Sequence, residues 1–447
     1  MKRDINHLRT EIGRDTKMKG NHYNKESYIE KQVAFFRKYA VNRPKLLGME
    51  FEHFLLDSDT LRSYDYYEKN GQRDMMEALS RNGWEIMLQE EGNILGLKKN
   101  GSTITLEPGG QVEISLSPFE SIVEIDRAYM AIINEIYDVI APNQMIAGIG
   151  YHPVTKIDAL SLLPKKRYGM MYDYFRNNGA YCHNMMKGTA ATQVSIDFDS
   201  ETDFIKKFRV ANYLSPAIAS LFDATPFFEG DLTEGNNMRA RIWAETDLKR
   251  SKLIPGSLTM QFGFAEYANY LLKLPPILLY TEGQLVFSEN ETLEATLSHY
   301  NFYDEELEHH LSMVFPDVRL KQFIEIRMPD SLPYPYNLGV AALIKGIFYN
   351  SRLLEKYYEQ SLSLDDAWVE QQNNNLKMSL IDEELHALKL EMLKDVIQEL
   401  SEVESAYMKP ILEVLEKEGS FTALMQKTYL EDKEAFKQMI KIQEVDK

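Results

Sequence analysis

The chain of 447 residues contains a single cysteine, Cys182, and no long hydrophobic run. One cysteine excludes an intramolecular disulfide and any zinc site built from several thiolates. Cys182 is then either an inert or mildly redox-sensitive thiol, the more frequent case, or a catalytic nucleophile, which no neighbouring motif supports. No stretch reaches the ~20 apolar residues that a membrane-spanning helix needs.

Basic residues are in deficit, because 50 Lys and Arg face 68 Asp and Glu, giving a net charge of −18. Binding to nucleic acids and to anionic membranes depends on clustered basic residues, so we expect neither partner. Residues 1–24 are polar and lack the apolar centre of a secretory signal peptide. These features predict a cytoplasmic protein. Separately from them, we expect small-molecule substrates and a monomer or homodimer.

Several motifs that identify nucleotide-binding and hydrolytic enzymes are missing. The chain has no Gly-x-x-x-x-Gly-Lys-Ser/Thr loop, no Gly-x-Gly-x-x-Gly fingerprint, no His-Glu-x-x-His and no Gly-x-Ser-x-Gly. Nucleotide or metal chemistry in this chain would therefore depend on another arrangement of residues.

Alternating polar and apolar segments are separated by segments with helical periodicity. The strands are predicted over 45–56, 103–107, 111–116, 189–199 and 322–328, and the main helices over 28–39, 74–82, 121–141 and 204–213. This order is typical of an α+β fold in which helices surround a largely antiparallel sheet. From residue 362 the sequence is charged and helical. We therefore predict a catalytic domain over 1–361 with an N-terminal helical lead-in, and a helical C-terminal section over 362–447 packed on it.

The first predicted strand carries two glutamates in an otherwise apolar run. Successive side chains of a strand alternate between faces, so Glu50 and Glu52 share one face, opposite Met49, Phe51 and His53. Two such carboxylates repel each other by about 4 kcal/mol near a protein surface at ~4 Å. Either solvent exposure or a bound cation would offset this repulsion.

The same alternation recurs in three further strands. Their polar faces carry Glu113, Gln193 and the pair Glu325 and Arg327. Each strand alone is compatible with an ordinary half-exposed strand. If the strands are neighbours, their carboxylate and amide oxygens form a face suited to magnesium or manganese rather than to zinc.

A predicted hairpin adds another carboxylate to this set. In Glu107-Pro108-Gly109-Gly110-Gln111, the proline disfavours helix at the preceding residue and the glycines permit a tight turn. The hairpin then carries Glu107 at one foot and Glu113 at the other. It is either a common turn or a fixed mount for two metal-facing carboxylates.

The chain resembles the plant-type glutamate–cysteine ligase family in several segments that occur in family order between about residues 45 and 350. The most specific is Glu107-Pro108-Gly109-Gly110-Gln111-Val112-Glu113. The others are Gly48-Met49-Glu50-Phe51-Glu52, Leu163-Pro164-Lys165-Lys166-Arg167-Tyr168, Ala191 to Phe198, Ile242-Trp243-Ala244-Glu245-Thr246-Asp247, and Phe315 to Lys321 followed by Glu325-Ile326-Arg327.

The resemblance implies a glutamine-synthetase-like fold and an enzyme of glutathione biosynthesis. Such an enzyme uses ATP as co-substrate and joins glutamate to the amine of cysteine through an acyl phosphate. The implied metal ligands, for Mg²⁺ or alternatively Mn²⁺, are Glu50, Glu52, Glu107, Glu113, Gln193 and Glu325. Arg241 and Arg327 would neutralise substrate charge, although Arg241 is equally compatible with a surface arginine. The implied residues that bind substrate or ATP are Arg167, Tyr168, Trp243 and Lys321.

Two segments depart from the family pattern. Many relatives read Met-Met-x-Arg-Thr where this chain has Met185-Met186-Lys187-Gly188-Thr189, and the segment 328–333 replaces a glycine-rich stretch. These changes leave open a ligase that joins glutamate or another acid to a different amine. Outside this chemistry, a metal-dependent hydrolase and a non-catalytic binding protein remain as alternatives.

Overall fold

The computed structural model describes residues 23–281, 284–288, 291–299, 304–380 and 382–443. Within these residues, nine strands form one antiparallel sheet. Eight of them follow the order β12-β13-β7-β1-β5-β4-β3-β2, and the ninth, β6, pairs with the second half of β1. These strands are β1 (Leu47–Asp57), β2 (Glu85–Glu90), β3 (Asn93–Lys99), β4 (Ser102–Leu106), β5 (Val112–Ser115), β6 (Gln144–Ala147), β7 (Thr192–Ile196), β12 (Val318–Leu320) and β13 (Ile324–Ile326). Two small hairpins are separate from this sheet: β8 (Phe227–Phe228) with β9 (Asp231–Leu232), and β10 (Leu278–Thr281) with β11 (Gln284–Phe287).

Helices surround the sheet. Those that precede residue 362 are α1 (Lys25–Arg37), α2 (Gln72–Arg81), α3 (Ile122–Tyr137), α4 (Lys166–Phe175), α5 (Cys182–Gly188), α6 (Glu201–Leu221), α7 (Met238–Ala244), α8 (Phe264–Leu272), α9 (Leu293–His299), α10 (Leu307–Leu311), α11 (Tyr336–Phe348) and α12 (Ser351–Ser361). The predicted α+β class with a largely antiparallel sheet is confirmed.

Strand β1 shows the predicted alternation. Met49, Phe51 and His53 are buried on one face, while Glu50 and Glu52 are half-buried on the other. The apolar face packs against helices, and the ring of Tyr129 in α3 lies 4.4 Å from that of Phe51. One face of the sheet therefore forms the core, and the other is left for polar side chains.

The predicted hairpin joins β4 and β5. Gly110 N–H donates to the Glu107 carbonyl at 2.8 Å, and the φ of Gly110 is +86°, in the region that glycine favours. A Cβ on Gly109 would lie 2.3 Å from the Lys187 carbonyl oxygen, so this position admits no side chain without a backbone shift. The turn therefore packs closely against the segment 185–189, one of the two whose sequence departs from the family pattern.

The C-terminal section is helical, as predicted from residue 362. It contains α13 (Asp366–Lys377), α14 (Glu383–Glu399), α15 (Glu402–Ser405), α16 (Lys409–Glu418), α17 (Phe421–Glu431) and α18 (Lys433–Ile440). Beyond α18 the chain becomes extended, and Ile442 N–H donates to the Ile146 carbonyl at 2.9 Å. The end of the chain is thus hydrogen-bonded to β6 of the central sheet.

Candidate active site

The strands that carry the predicted site residues are neighbours in the sheet. Glu52 is paired across strands with Glu113, and Glu50 with Gln193. Glu325 on β13 is paired with Ser195 on β7. Side chains directly opposite in an antiparallel pair share a face, so the four predicted strands form one polar face.

One half of this face is acidic. Burial, together with the charges of Glu107 and Glu113, raises the pKa of Glu52 to about 8. The Glu52 carboxylate accepts hydrogen bonds from the Ala191 N–H at 2.7 Å and from Gln193 Nε2 at 3.0 Å. These three carboxylates produce a negative potential that a bound cation would relieve.

The Glu113 carboxylate is held in place by hydroxyl groups on the same face. Thr105 Oγ1 and Ser115 Oγ each donate to Glu113 Oε1 at 3.0 Å. Glu107 at the other foot of the hairpin lies 3.4 Å from the hydroxyl of Tyr168. The hairpin therefore positions both of its glutamates at the acidic half.

The other half of the face is cationic and centres on Glu325. Its carboxylate pairs with Arg319 Nε at 2.6 Å, Lys321 Nζ at 2.7 Å and Arg327 Nη1 at 3.6 Å. Burial alone would raise the pKa of Glu325, but these three cations hold it well below its usual range. Three positive charges against one carboxylate leave an excess of positive charge at this end.

Arg327 links the two halves. Its Nη1 donates to Gln193 Oε1 at 2.7 Å, and Gln193 in turn donates to Glu52. Burial and the neighbouring Arg319 lower the pKa of Arg327 to about 10, so the guanidinium remains charged at neutral pH. Arg319 belongs to this cluster although the sequence assigned it no role; its presence in the Phe315 to Lys321 segment was the available signal.

Helix α4 contributes the predicted pair Arg167 and Tyr168. Tyr168 contacts Glu107, whereas Arg167 Nη2 lies 3.4 Å from both the carbonyl and the hydroxyl oxygen of Ser312. Lys165, which the sequence did not single out, lies with Nζ 4.4 Å from the centre of the Tyr168 ring. Burial lowers the pKa of Lys165, while the charge of Glu107 opposes that shift.

Helix α7 brings Arg239, rather than the predicted Arg241, to the polar face. Arg239 Nη1 donates to the Met328 carbonyl at 2.9 Å and Nη2 to the Arg327 carbonyl at 3.3 Å. Over two residues of a helix, the direction of the side chain rotates by ~200° about the helix axis. Arg241 is therefore directed away from these contacts. Arg241 is half-buried and has no ion pair within the described part of the chain.

Trp243 lies on the same side of α7 as Arg239, one helical turn later. The Arg239 guanidinium is 5.9 Å from the centre of the Trp243 ring. Arg239 Nε and Trp243 Nε1 are both buried, and neither has a hydrogen-bond partner among the described residues. Two buried donors without acceptors are what a carboxylate ligand would satisfy.

The oxygen-rich donor set fits a hard divalent cation in its chemistry, and the raised pKa of Glu52 shows the charge that such an ion would neutralise. The side chains are not preformed for this purpose. Among the described residues, no three acidic, histidine or cysteine side chains are placed to hold one ion together. Glu325 could ligate an ion only by giving up part of its ion pairing.

Cys182 takes no part in this face. Its side chain is buried, and burial raises the pKa of the thiol to about 11. A thiol that stays protonated at neutral pH is a poor nucleophile. This supports the inert alternative.

Comparisons with known proteins agree with this geometry. The profile of Glutamate-cysteine ligase family 2 (GCS2) matches residues 46–433. Glutamate–cysteine ligase B, chloroplastic, of Oryza sativa subsp. japonica is 31% identical over 346 residues, which cover 74% of this chain and 67% of the rice protein. The chloroplastic glutamate–cysteine ligase of Arabidopsis thaliana is 31% identical over 328 residues, covering 69% of this chain and 60% of that protein.

A solved structure shares the fold. The crystal structure of glutamate–cysteine ligase from Francisella tularensis in complex with AMP superposes with a TM-score of 0.56 at 11% identity, covering 90% of this chain and 88% of that chain. At this identity the likeness concerns the fold alone, and it confirms the predicted fold class.

The prediction of a cytoplasmic location is wrong. The rice, Brassica juncea and Arabidopsis relatives are named chloroplastic, and this finding overturns the prediction. An apolar centre is a feature of secretory signal peptides and not of transit peptides, so its absence from residues 1–24 does not bear on a plastid location. Residues 1–22, on which the prediction drew, lie outside the described residues. Among the described helices, none is both long and apolar enough to cross a membrane.

Proposed function

Because this chain belongs to glutamate–cysteine ligase family 2, we propose that it joins the γ-carboxylate of glutamate to the amine of cysteine at the expense of ATP. The products would be γ-glutamylcysteine, ADP and phosphate, in the first step of glutathione-type thiol synthesis. The observation that carries the proposal is the division of one sheet face into an acidic half around Glu52 and a cationic half around Glu325. Arg327 and Gln193 connect the two halves through hydrogen bonds, so a nucleoside triphosphate chain with its counter-ion could lie across both.

The cationic half supplies the positive charge that phosphoryl transfer needs. In the reaction, a γ-carboxylate oxygen of glutamate bonds to the terminal phosphorus of ATP and the bond to ADP breaks. Arg319, Lys321 and Arg327 would face the negative charge that is redistributed in this step. Preorganised cations stabilise such charge because they need not reorient during the reaction.

The acidic half is assigned to a divalent cation. Glu50, Glu52, Glu107, Glu113 and Gln193 would hold magnesium, with manganese as the alternative and Glu325 as an outer member of the set. When bound, the ion would supply positive charge that offsets the charge of the phosphates. The chain's own contribution is to orient Glu113 through Thr105 and Ser115, and Glu52 through the Ala191 N–H.

The donors on α7 are assigned to the carboxylate substrate. Arg239 Nε and Trp243 Nε1 would satisfy their hydrogen-bonding capacity on a carboxylate of glutamate. Each buried donor that gains an acceptor recovers about 1–3 kcal/mol. In the second step the amine nitrogen bonds to the acyl carbon, phosphate leaves, and the amine loses a proton.

A ligase of the same chemistry with a different amine is the second candidate. It is favoured by the segment 185–189, whose sequence departs from the relatives and whose backbone packs on the metal-facing turn. Gln111 Nε2 donates to the carbonyls of Met186 and Thr189 at 3.2 and 2.8 Å. A change in this segment therefore lies beside Glu107.

Phosphate release from ATP separates these candidates. The purified chain is incubated with ATP, magnesium and glutamate, and each of a panel of amines is added in turn. Release that depends on cysteine supports the leading proposal, and release with another amine supports the second candidate. The absence of release with every pair contradicts both and favours a hydrolase or a binding protein.

Two variants on α7 test the site itself. We expect Arg239→Ala to lower kcat/KM by at least ~100-fold, because it removes a buried substrate-facing cation. Arg241→Ala on the same helix is the matched control and should stay within about three-fold of wild type, as surface substitutions do. The reverse order of effects would contradict the placement of the carboxylate.

A further inference from the structure

A buried carboxylate, Asp330, lies directly behind the guanidinium of Arg239. Asp330 Oδ1 is 3.7 Å from Arg239 Nη1, and both side chains are almost fully buried. Asp330 itself is not part of the polar face, since it follows β13 by four residues.

The Asp330 carboxylate has a fixed orientation. Its Oδ2 accepts hydrogen bonds from Thr225 Oγ1 at 2.5 Å and from the Ala224 N–H at 2.9 Å. Both donors engage the same oxygen, so Oδ1 is the atom directed at Arg239. The backbone of Gly150 packs closely against this pair, because a Cβ there would lie 2.2 Å from Thr225 Oγ1 and 2.6 Å from Asp330 Oδ2.

Arg239 is held through its terminal nitrogens, whereas its buried Nε is not. Its Nη1 and Nη2 donate to the carbonyls of Met328 and Arg327, and Nη1 also faces Asp330. Its Nε has no hydrogen-bond partner among the described residues. The terminal nitrogens thus anchor the guanidinium, while Nε remains a buried donor whose hydrogen bond a substrate carboxylate would supply.

From this geometry we infer that Asp330 is a positioning residue: it orients Arg239 so that Nε and the neighbouring Trp243 Nε1 meet the carboxylate of the acid substrate. The inference rests on the proposed function, because it needs a carboxylate ligand at Arg239. It assigns to Asp330 no contact with substrate.

A second buried carboxylate, Asp223, supports this assignment. Burial, followed by the charge of Asp330, raises the pKa of Asp223 to about 7. Of two neighbouring buried carboxylates, one keeps a proton more readily than the other. Burial raises the pKa of Asp330 as well, but the charge of Arg239 opposes that shift, whereas at Asp223 the charge of Asp330 adds to it.

The test is titration of the full-length protein with L-glutamate by calorimetry, together with KM values for glutamate and ATP. We expect Asp330→Asn to raise the Kd and KM for glutamate about ten-fold and to change the KM for ATP less than about two-fold. Asp223→Asn is the matched control, a buried carboxylate with no ion pair to Arg239, and should leave the Kd within about two-fold.

A double-mutant cycle shows whether the effect passes through Arg239. In an Arg239→Lys background, Asp330→Asn should have almost no further effect on the Kd, because residues that act as a unit are non-additive. Full additivity would overturn the inference. An unchanged Kd for Asp330→Asn would overturn it as well.

Two outcomes separate this inference from the proposed function. A wild-type protein that neither binds L-glutamate nor releases phosphate with it contradicts the proposed function and, with it, the inference. A wild type that binds glutamate while Asp330→Asn binds it equally well contradicts the inference alone. If Asp330→Asn does not fold, Thr225→Val removes one anchor of the carboxylate and should raise the Kd about three-fold; an unchanged Kd in that variant overturns the inference.

Discussion

At the scale of single residues, the charge state of Glu52 depends on its surroundings. Burial contributes most to its raised pKa, followed by the charges of Glu107 and Glu113. Hydrogen bonds from Ala191 and Gln193 fix its orientation without cancelling the repulsion. Glu52 therefore holds a proton near neutral pH until a cation takes that proton's place.

This state makes stability in the absence of metal depend on pH. The pKa of Glu52 is about 8 in the folded chain and starts from 4.5, so between these values the folded state holds a proton that the unfolded state lacks. Stability conferred by that proton is present below pH ~4.5 and is lost as the pH rises towards 8. We expect the melting temperature in EDTA to fall between pH 5 and 8, and to fall less in Glu52→Gln.

Magnesium provides the complementary measurement. Because the ion binds the deprotonated carboxylate, it should raise the melting temperature of the wild type more at pH 8 than at pH 6. Glu52→Gln should show a smaller gain and no measurable ligase turnover. The same pH profile in both proteins would contradict the assignment of Glu52.

The sequence predicted the face on which the carboxylates lie more reliably than it predicted which arginine of α7 faces the sheet, for a geometric reason. The period of a strand is two, so Glu50 and Glu52 had to share a face wherever the strand lay. In the short helix α7, arginines occur at both 239 and 241, and their sides differ by ~200°. Only packing against Met328 and Arg327 selects Arg239, and that contact is not contained in the local pattern.

At the scale of secondary-structure elements, the predicted strands are those with one buried and one polar face. Strand β2 was not predicted because it lies at the sheet edge and is largely exposed, so its side chains do not alternate. Strand β7 is shorter than predicted, since Thr189 and Ala191 pair with Tyr151 and Asp330 instead of continuing the ladder. These pairings join distant parts of the chain and cannot be predicted from a local window.

The β4–β5 hairpin provides a test at this scale. Gly109→Ala would place a Cβ 2.3 Å from the Lys187 carbonyl, so the turn must shift and Glu107 with it. We expect a loss of about 1–3 kcal/mol of stability, as for overpacking, and a loss of activity through Glu107. Thermal unfolding and phosphate release measure the two effects.

Gly169→Ala in α4 is the control for this variant. A Cβ there would meet nothing within 4 Å, and alanine favours a helix interior by about 0.5–1 kcal/mol over glycine. Gly169→Ala should therefore be as stable as wild type or more so, with full activity. If Gly109→Ala behaved in the same way, the turn would not be the fixed mount described above.

At the scale of the whole molecule, the helical C-terminal section is joined to the sheet and to the core of the body. Ile442 is fully buried and hydrogen-bonded to β6, and Thr422 N–H donates to the Asp223 carbonyl at 3.0 Å. The division of the chain at residue 361 stays a proposal. These contacts indicate that the two parts stabilise each other.

Ile442→Ala measures this coupling. Truncating a fully buried isoleucine should cost about 2–5 kcal/mol and lower the temperature at which activity is lost. Leu430→Ala, at a side chain that is 71% exposed, should change stability by less than about 0.5 kcal/mol. Activity that survives heating unchanged in Ile442→Ala would show that the C-terminal section is energetically independent of the catalytic body.

The burial of Cys182 has a consequence for an enzyme that handles thiols. Disulfide exchange begins with a thiolate, and this thiol is both enclosed and protonated at neutral pH. Cystine or oxidised glutathione in solution therefore has no reactive sulfur on the chain with which to form a mixed disulfide. The enzyme would therefore stay active when the ratio of reduced to oxidised thiol in its substrate pool changes.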